Sequence, residues 1–399
     1  MGTTVDLPSC ADVVIVGGGI MGTSTAYFLS ERTDFETVLL EKDTIAAGST
    51  GDSSAILRHH YGPQELYTKM AWWSHTFYRR FETETDEPIA HAESPLLRAA
   101  SQDSVAGDYA MAGHDVLESL DIPVRTLDRE SLAAEYPMLE FDDVDFAVSD
   151  ETAGYSDGAD AANGFARAAR ANGATVATGV TVTDFDTRGD RTTAVHTDRG
   201  TVDCEHVVLA AGPWTDRLAA KLDIEVPLLI EREQVLILEP PASYVQTYPE
   251  LTPTTALPGG EWYIRPDFGE GILVATHHMR EEVDPDRYSN KPDEATLLEL
   301  TELLEKTLPE AATAGIRGSY CGVYSTTPDH DFIIGPAGYG NVYLACGFSG
   351  HGFKHGPAVG RTLTDLIDRG KTDFVDVEFF SLDRFADDPQ GHGLPDDYA

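Results

Sequence analysis

Cysteine, lysine and long apolar runs are all scarce in this 399-residue chain. Cys10, Cys204, Cys321 and Cys346 fall in no CxxC spacing. That excludes the disulfide framework of a small secreted domain and a thiolate zinc site, so no metal is expected and a reduced, cytoplasmic setting is. No stretch of 18 apolar residues occurs, and no membrane span is expected. The N-terminus MGTTVDLPSCAD has no basic segment leading into an apolar one, so no leader peptide is expected. Lysine supplies only 7 of the 28 basic residues, and the formal charge is −40. The charge is spread along the whole chain, as in a soluble enzyme adapted to high salt, where a dense carboxylate surface stays hydrated. Such a surface repels nucleic acid and anionic lipid, which removes both as expected partners.

Glycine, by contrast, is plentiful and placed. Residues 13 to 43 read VVIVGGGIMGTSTAYFLSERTDFETVLLEKD. An apolar strand runs into Gly17-x-Gly19-x-x-Gly22, a helix follows, and a second strand ends at Glu41. This is the dinucleotide-binding βαβ unit, in which glycines bring the backbone up to a pyrophosphate at a helix N-terminus. Gly17, Gly19, Ile20, Met21 and Gly22 are expected to hold the pyrophosphate. Glu41, with Lys42 beside it, is expected to face the adenosine ribose. The motif alone serves NAD and FAD equally. The small-residue loop in AAGSTGDSSAILRHHYG (46–62) favours a flavin, with Ser49 and Thr50 free to bond phosphate or ring atoms.

Further segments fit the same machine. A helix and strand at 154–186 reach Val182, and TVDCEHVVLAAGPWTDRLA (201–219) runs into a turn at Ala211, Gly212 and Trp214, expected near the cofactor. The fold class is therefore α/β: a two-domain FAD-binding fold with a mixed-sheet α+β substrate domain. Residues 1–90, 151–222 and 329–399 are expected to form the discontinuous FAD-binding domain. Residues 91–150 and 223–328, richer in strands, are expected to form the substrate domain. Late in the chain, GFSGHGFKHGPAVG (347–360) places a cationic, glycine-dense turn before a helix. Gly347, Gly350, His351, Gly352, Phe353 and Lys354 are expected against the flavin, with the helix dipole favouring its negative edge.

Taken together, GGGIMG…EKD, GSTGDSSAILRHHYG, VVLAAGPWT and CGVYSTTPDHDFIIGP followed by LACGFSGHGFKHGPAVG resemble the D-amino-acid oxidase superfamily. The likeness spans nearly the whole chain and leans to the sarcosine oxidase and dimethylglycine dehydrogenase branch. It implies FAD and oxidation of a C–N bond in a small amino acid: sarcosine, dimethylglycine, glycine or a D-amino acid. By the same resemblance, Arg58 and Lys354 hold the substrate carboxylate, and Tyr263, His278 and Tyr324 face the substrate. Three positions depart from the pattern. Gly322 replaces a cysteine that bonds the flavin, and Cys321 is one place off, on the other face of a strand; non-covalent FAD is expected. Val274 replaces a lysine that activates oxygen, so oxygen and another carrier both stay open as electron acceptor. Ala55 replaces a second arginine. A 2-hydroxy-acid dehydrogenase and a non-catalytic flavin-binding subunit remain as alternatives, and the oligomeric state is left open.

Overall fold

A computed structural model describes residues 6–392 except 142, 249–252, 257–261 and 278–280. Two eight-stranded sheets dominate it, with a three-stranded sheet between distant segments. In the first sheet, strands Thr175–Thr178, Thr37–Glu41, Cys10–Val16 and Gly200–Leu209 lie side by side in parallel. Tyr339–Cys346 joins the C-terminal half of Gly200–Leu209, also in parallel. Both faces are apolar, as buried parallel strands require. Val13, Ile15, Leu39 and Val208 point into one core with helices Ile20–Arg32, Gly158–Ala171 and Gly356–Arg369. Val14, Val16, Val38, Leu40 and Leu209 point into a second core on the other side. The C-terminal ends of these strands converge where the crossovers begin, which is where such sheets leave a crevice for ligands.

The second sheet runs Gly315–Thr326, Leu229–Glu239, Gly271–Thr276, Trp262–Asp267, Thr254–Ala256, Leu96–Ala100, Phe146–Asp150 and Val124–Asp128. All its pairings are antiparallel except that of Thr254–Ala256 with Leu96–Ala100. One face carries Leu236, Ile264, Ile272 and Val274 against Leu300 and Leu304 of helix Glu294–Thr307. The other face, with Val235, Leu273, Ala275 and Tyr263, looks back to the first sheet. This is the expected α/β fold with a mixed second sheet. No helix among the described residues is long and apolar enough to cross a membrane.

Candidate active site

A cavity of about 640 Å³ runs continuously from the glycine turn of the first sheet to the inner face of the second. Its first wall is the βαβ unit. Gly17 has φ +117, and a Cβ there would lie 2.3 Å from the Ala210 carbonyl oxygen. A Cβ on Gly22 would lie 1.9 Å from Gly17 O, so the turn closes only with hydrogen at both places. Gly22 itself does this packing and does not line the cavity, whereas Gly17, Gly19, Ile20 and Met21 do. Gly19 caps the helix Ile20–Arg32 with no side-chain hydrogen bond. That helix end, given no side-chain cap by Gly19 and facing the cavity, suits an anion.

Glu41 accepts from the Gly18 amide at 2.6 Å and the Asp43 amide at 2.8 Å, which fixes its carboxylate at the rim. The Thr50 hydroxyl accepts from Ile20 N–H at 3.0 Å, tying the small-residue loop to the helix start. Ser49 Oγ is buried with no hydrogen-bond partner among the described residues, and Ser49 lines the cavity. An orphaned hydroxyl beside a glycine cradle and a helix start fits a dinucleotide cofactor. At the far end of this wall, Lys42 Nζ sits 3.2 Å from the Trp214 ring centre, and Trp214 Nε1 donates to Asp286 at 2.8 Å. Burial, only partly offset by Asp286, lowers the Lys42 pKa. Val182, Ala211 and Gly212 line the same end.

The second wall holds the two expected tyrosines together with polar groups the motifs did not reveal. Tyr263 and Tyr324 line the cavity, and burial raises both hydroxyls above the ordinary tyrosine range. Between their rings stands His277, at 6.1 Å from Tyr263 and 6.0 Å from Tyr324, with Nδ1 3.4 Å from the Tyr324 hydroxyl. His278, the histidine expected here, lies outside the described residues. Glu233, only 3% exposed, also lines the cavity and accepts from the Thr276 hydroxyl at 2.5 Å. Asp52 lines it too, and burial lifts its carboxyl to about 6.

Strand register decides the departures noted in the sequence. Gly322 pairs with Glu233 and faces the cavity, while Cys321 pairs with Gln234 and does not line it. The space a Gly322 side chain would need is taken by Asp52, whose Cβ lies 2.8 Å from a built Cβ. Val274 pairs with Ile264 on the face turned to Leu300, so it does not meet the cavity. Leu273 and Ala275, its neighbours on the inner face, carry no charge either. Val274, expected at the position of an oxygen-activating lysine, is thus not a cavity residue.

The late glycine turn closes the pocket. Gly347, Gly350, Gly352 and Phe353 line it. A Cβ on Gly350, at φ +79, would lie 2.4 Å from the Tyr324 ring, so this turn and Tyr324 pack in direct contact. His351 does not line the cavity; its ring lies 4.6 Å from Phe332 and its Nδ1 3.3 Å from the Tyr61 hydroxyl. Arg58 and Lys354 come together immediately behind the turn. The Arg58 guanidinium carbon is 4.2 Å, and Lys354 Nζ 6.0 Å, from the centre of the Tyr61 ring. Both are buried, at 7% and 5% exposure. Neither is paired with a carboxylate among the described residues: Arg58 donates to the His60 carbonyl at 2.5 Å and Lys354 to that of His351 at 3.1 Å. Burial, then Arg58 and Arg98, holds the Lys354 pKa well below the ordinary lysine range.

A nucleotide cradle opening onto a polar second sheet defines a class: a cofactor-dependent redox protein. Comparison with known proteins makes this specific. A family model described as FAD dependent oxidoreductase (DAO) matches residues 12–366. The chain is 30% identical to a monomeric sarcosine oxidase from Bacillus sp., over 94% of this chain and 97% of that one. It is 25% identical to human mitochondrial dimethylglycine dehydrogenase, over 92% of this chain but 44% of that longer protein. Its fold superposes on L-proline dehydrogenase from P. horikoshii with a TM-score of 0.86 at 25% identity, covering 96% and 99% of the two chains. The chain belongs to the DAO family of FAD dependent oxidoreductases, and its cofactor is FAD.

Proposed function

We propose that this protein oxidises the C–N bond of a small, N-alkylated amino acid, with its carboxylate held by Arg58 and Lys354. The observation that carries the reading is that pair: two buried cations share one tyrosine ring, lack a carboxylate partner among the described residues, and adjoin the turn bounding the cavity. Buried cations of this kind are costly until an anion reaches them. A guanidinium fork beside a point-charge ammonium suits a carboxylate. FAD, when bound, supplies the hydride acceptor. The protein's own share is to hold the carboxylate, to orient the neighbouring amine, and to keep water out. Tyr263 and Tyr324 form the polar wall towards the amine, with His277 packed against both rings, and Glu233 adds a buried acceptor on the same wall. The names of the relatives, a sarcosine oxidase and a dimethylglycine dehydrogenase, support an N-methylated substrate.

FAD is held without a covalent bond, a reading supported by Cys321 turning away and Asp52 filling the space beside Gly322. The division into an FAD-binding unit (1–90, 151–222, 329–399) and a substrate unit (91–150, 223–328) is supported by the two large sheets, whose strands fall on either side of those bounds. Anaerobic mixing of the yellow protein with a panel of amino and hydroxy acids tests the activity. N-methyl amino acids bleach the flavin in this reading; bleaching by hydroxy acids alone would replace it.

A further inference from the structure

A third cation, Arg98, lies close enough to Arg58 and Lys354 for their charges to act on one another. Arg98 projects from strand Leu96–Ala100 of the second sheet, with its guanidinium carbon 5.9 Å from the Tyr109 ring centre. Tyr109 in turn packs on His60 at 5.3 Å, and the His60 carbonyl is the group that accepts from Arg58. Arg58 thus bonds the His60 carbonyl, while Arg98, from the second sheet, reaches the His60 ring through Tyr109. Arg98 Nε is buried and has no hydrogen-bond partner among the described residues. His60 cannot share in the charge, since burial and then Arg98 hold its pKa near 3.

The carboxylate acting on Arg98 is Asp150, and it is already engaged. Its oxygens accept from the His59 amide at 2.7 Å and sit 3.0 Å from His59 Nδ1. Among the described residues, Arg58 and Arg98 set against this one carboxylate leave one positive charge in excess, and Lys354, whose pKa burial lowers, adds a second when an anion favours its protonation. A monocarboxylate would neutralise one of these and leave a buried cation unpaired, which is strongly unfavourable. A dianion would neutralise both, and Arg98 would gain the partner its Nε lacks.

We propose that Arg98 is a specificity residue and that the substrate is an acidic, N-alkylated amino acid carrying a second carboxylate. The α-carboxylate lies between Arg58 and Lys354, and the side-chain carboxylate reaches Arg98. This rests on the clamp described above and names the substrate class for it. Glu233 and the tyrosines stay on the amine side, so the two acidic groups of the substrate meet cations and its amine meets acceptors.

Two non-oxidisable thioethers separate the cases: 2-(methylthio)succinate, a dianion, and (methylthio)acetate, a monoanion. Each is titrated into the FAD-loaded protein and followed by the flavin spectrum. In the wild-type protein the dianion should bind at least about tenfold more tightly, the gain of one charge-assisted contact. Arg98→Gln should erase that preference and leave the monoanion within about twofold, while Arg98→Lys restores part of it. Equal affinities in the wild-type protein, or a preference that survives Arg98→Gln, would overturn the proposal. Should Arg98→Gln fail to fold, the wild-type ratio decides alone. Failure of the clamp itself looks different: neither thioether binds, and no amino acid of either charge bleaches the flavin.

Discussion

The nucleotide cradle and the proposed carboxylate clamp would each receive an anion, with opposite chemistry. At the nucleotide end the donors are backbone N–H groups of a helix start and a glycine turn, and side chains matter mainly by being absent. At the substrate end the donors are long cationic side chains held in a protein interior, and their presence is everything. One site fails when something is added and the other when something is removed. The difference also explains why one end is written in a spacing motif and the other is not.

The largest effect should come from adding atoms to the cradle. Gly22→Ala places a methyl 1.9 Å from Gly17 O, so FAD retention should be lost and stability should fall by about 3 kcal/mol or more. Flavin absorbance after gel filtration and urea denaturation read the two effects. Next, Arg58→Ala should raise KM for an amino-acid substrate by about 100-fold or more while FAD stays bound. A variant that also lost FAD would erase the separation of the two ends.

Smaller effects sharpen the same contrast. Glu41→Ala removes the acceptor for the Gly18 amide and should weaken FAD binding by about tenfold, with the thioether affinities of the saturated enzyme unchanged. Acid precipitation should leave the flavin in the supernatant. Yellow protein in the pellet would mean a covalent link in spite of the Cys321 register. Smallest is Asp52, whose folded pKa is raised to about 6 from 3.8. The folded state holds this proton more tightly, so stability should fall as pH rises from 3.8 to 6 and stay lower above it. Asp52→Asn should flatten that slope and add no more than about 2 kcal/mol at pH 8, discounted for partial exposure. Urea denaturation of the flavin-free protein across pH reads it.

The nucleotide end was legible because its physics is local. Gly17, Gly19, Gly22 and Glu41 sit within one βαβ unit, where spacing alone dictates a close turn and a rim acid. The substrate end depends on pairing between strands far apart in sequence. On Leu229–Glu239 both faces are buried, so no polar alternation marks Glu233 as the residue that looks inward. The same register turns Val274 into the apolar core. His351 sounded like a flavin contact because it sits in the glycine turn, yet its ring is spent on Phe332 and Tyr61. Arg98 carried no signal at all, since its meaning comes from Arg58 and Lys354 arriving beside it from 40 and 256 residues away in the chain.

The carboxylate clamp is the central claim, and removing the carboxylate from the substrate tests it most directly. Reduction of the enzyme-bound flavin is followed anaerobically with sarcosine, N-methylaspartate and dimethylamine, which keeps the methylamine but has no acid. Flavin reduction by the amino acids, with dimethylamine at least about 100-fold less efficient, is the predicted result. Dimethylamine reducing the flavin as efficiently as the amino acids would contradict it.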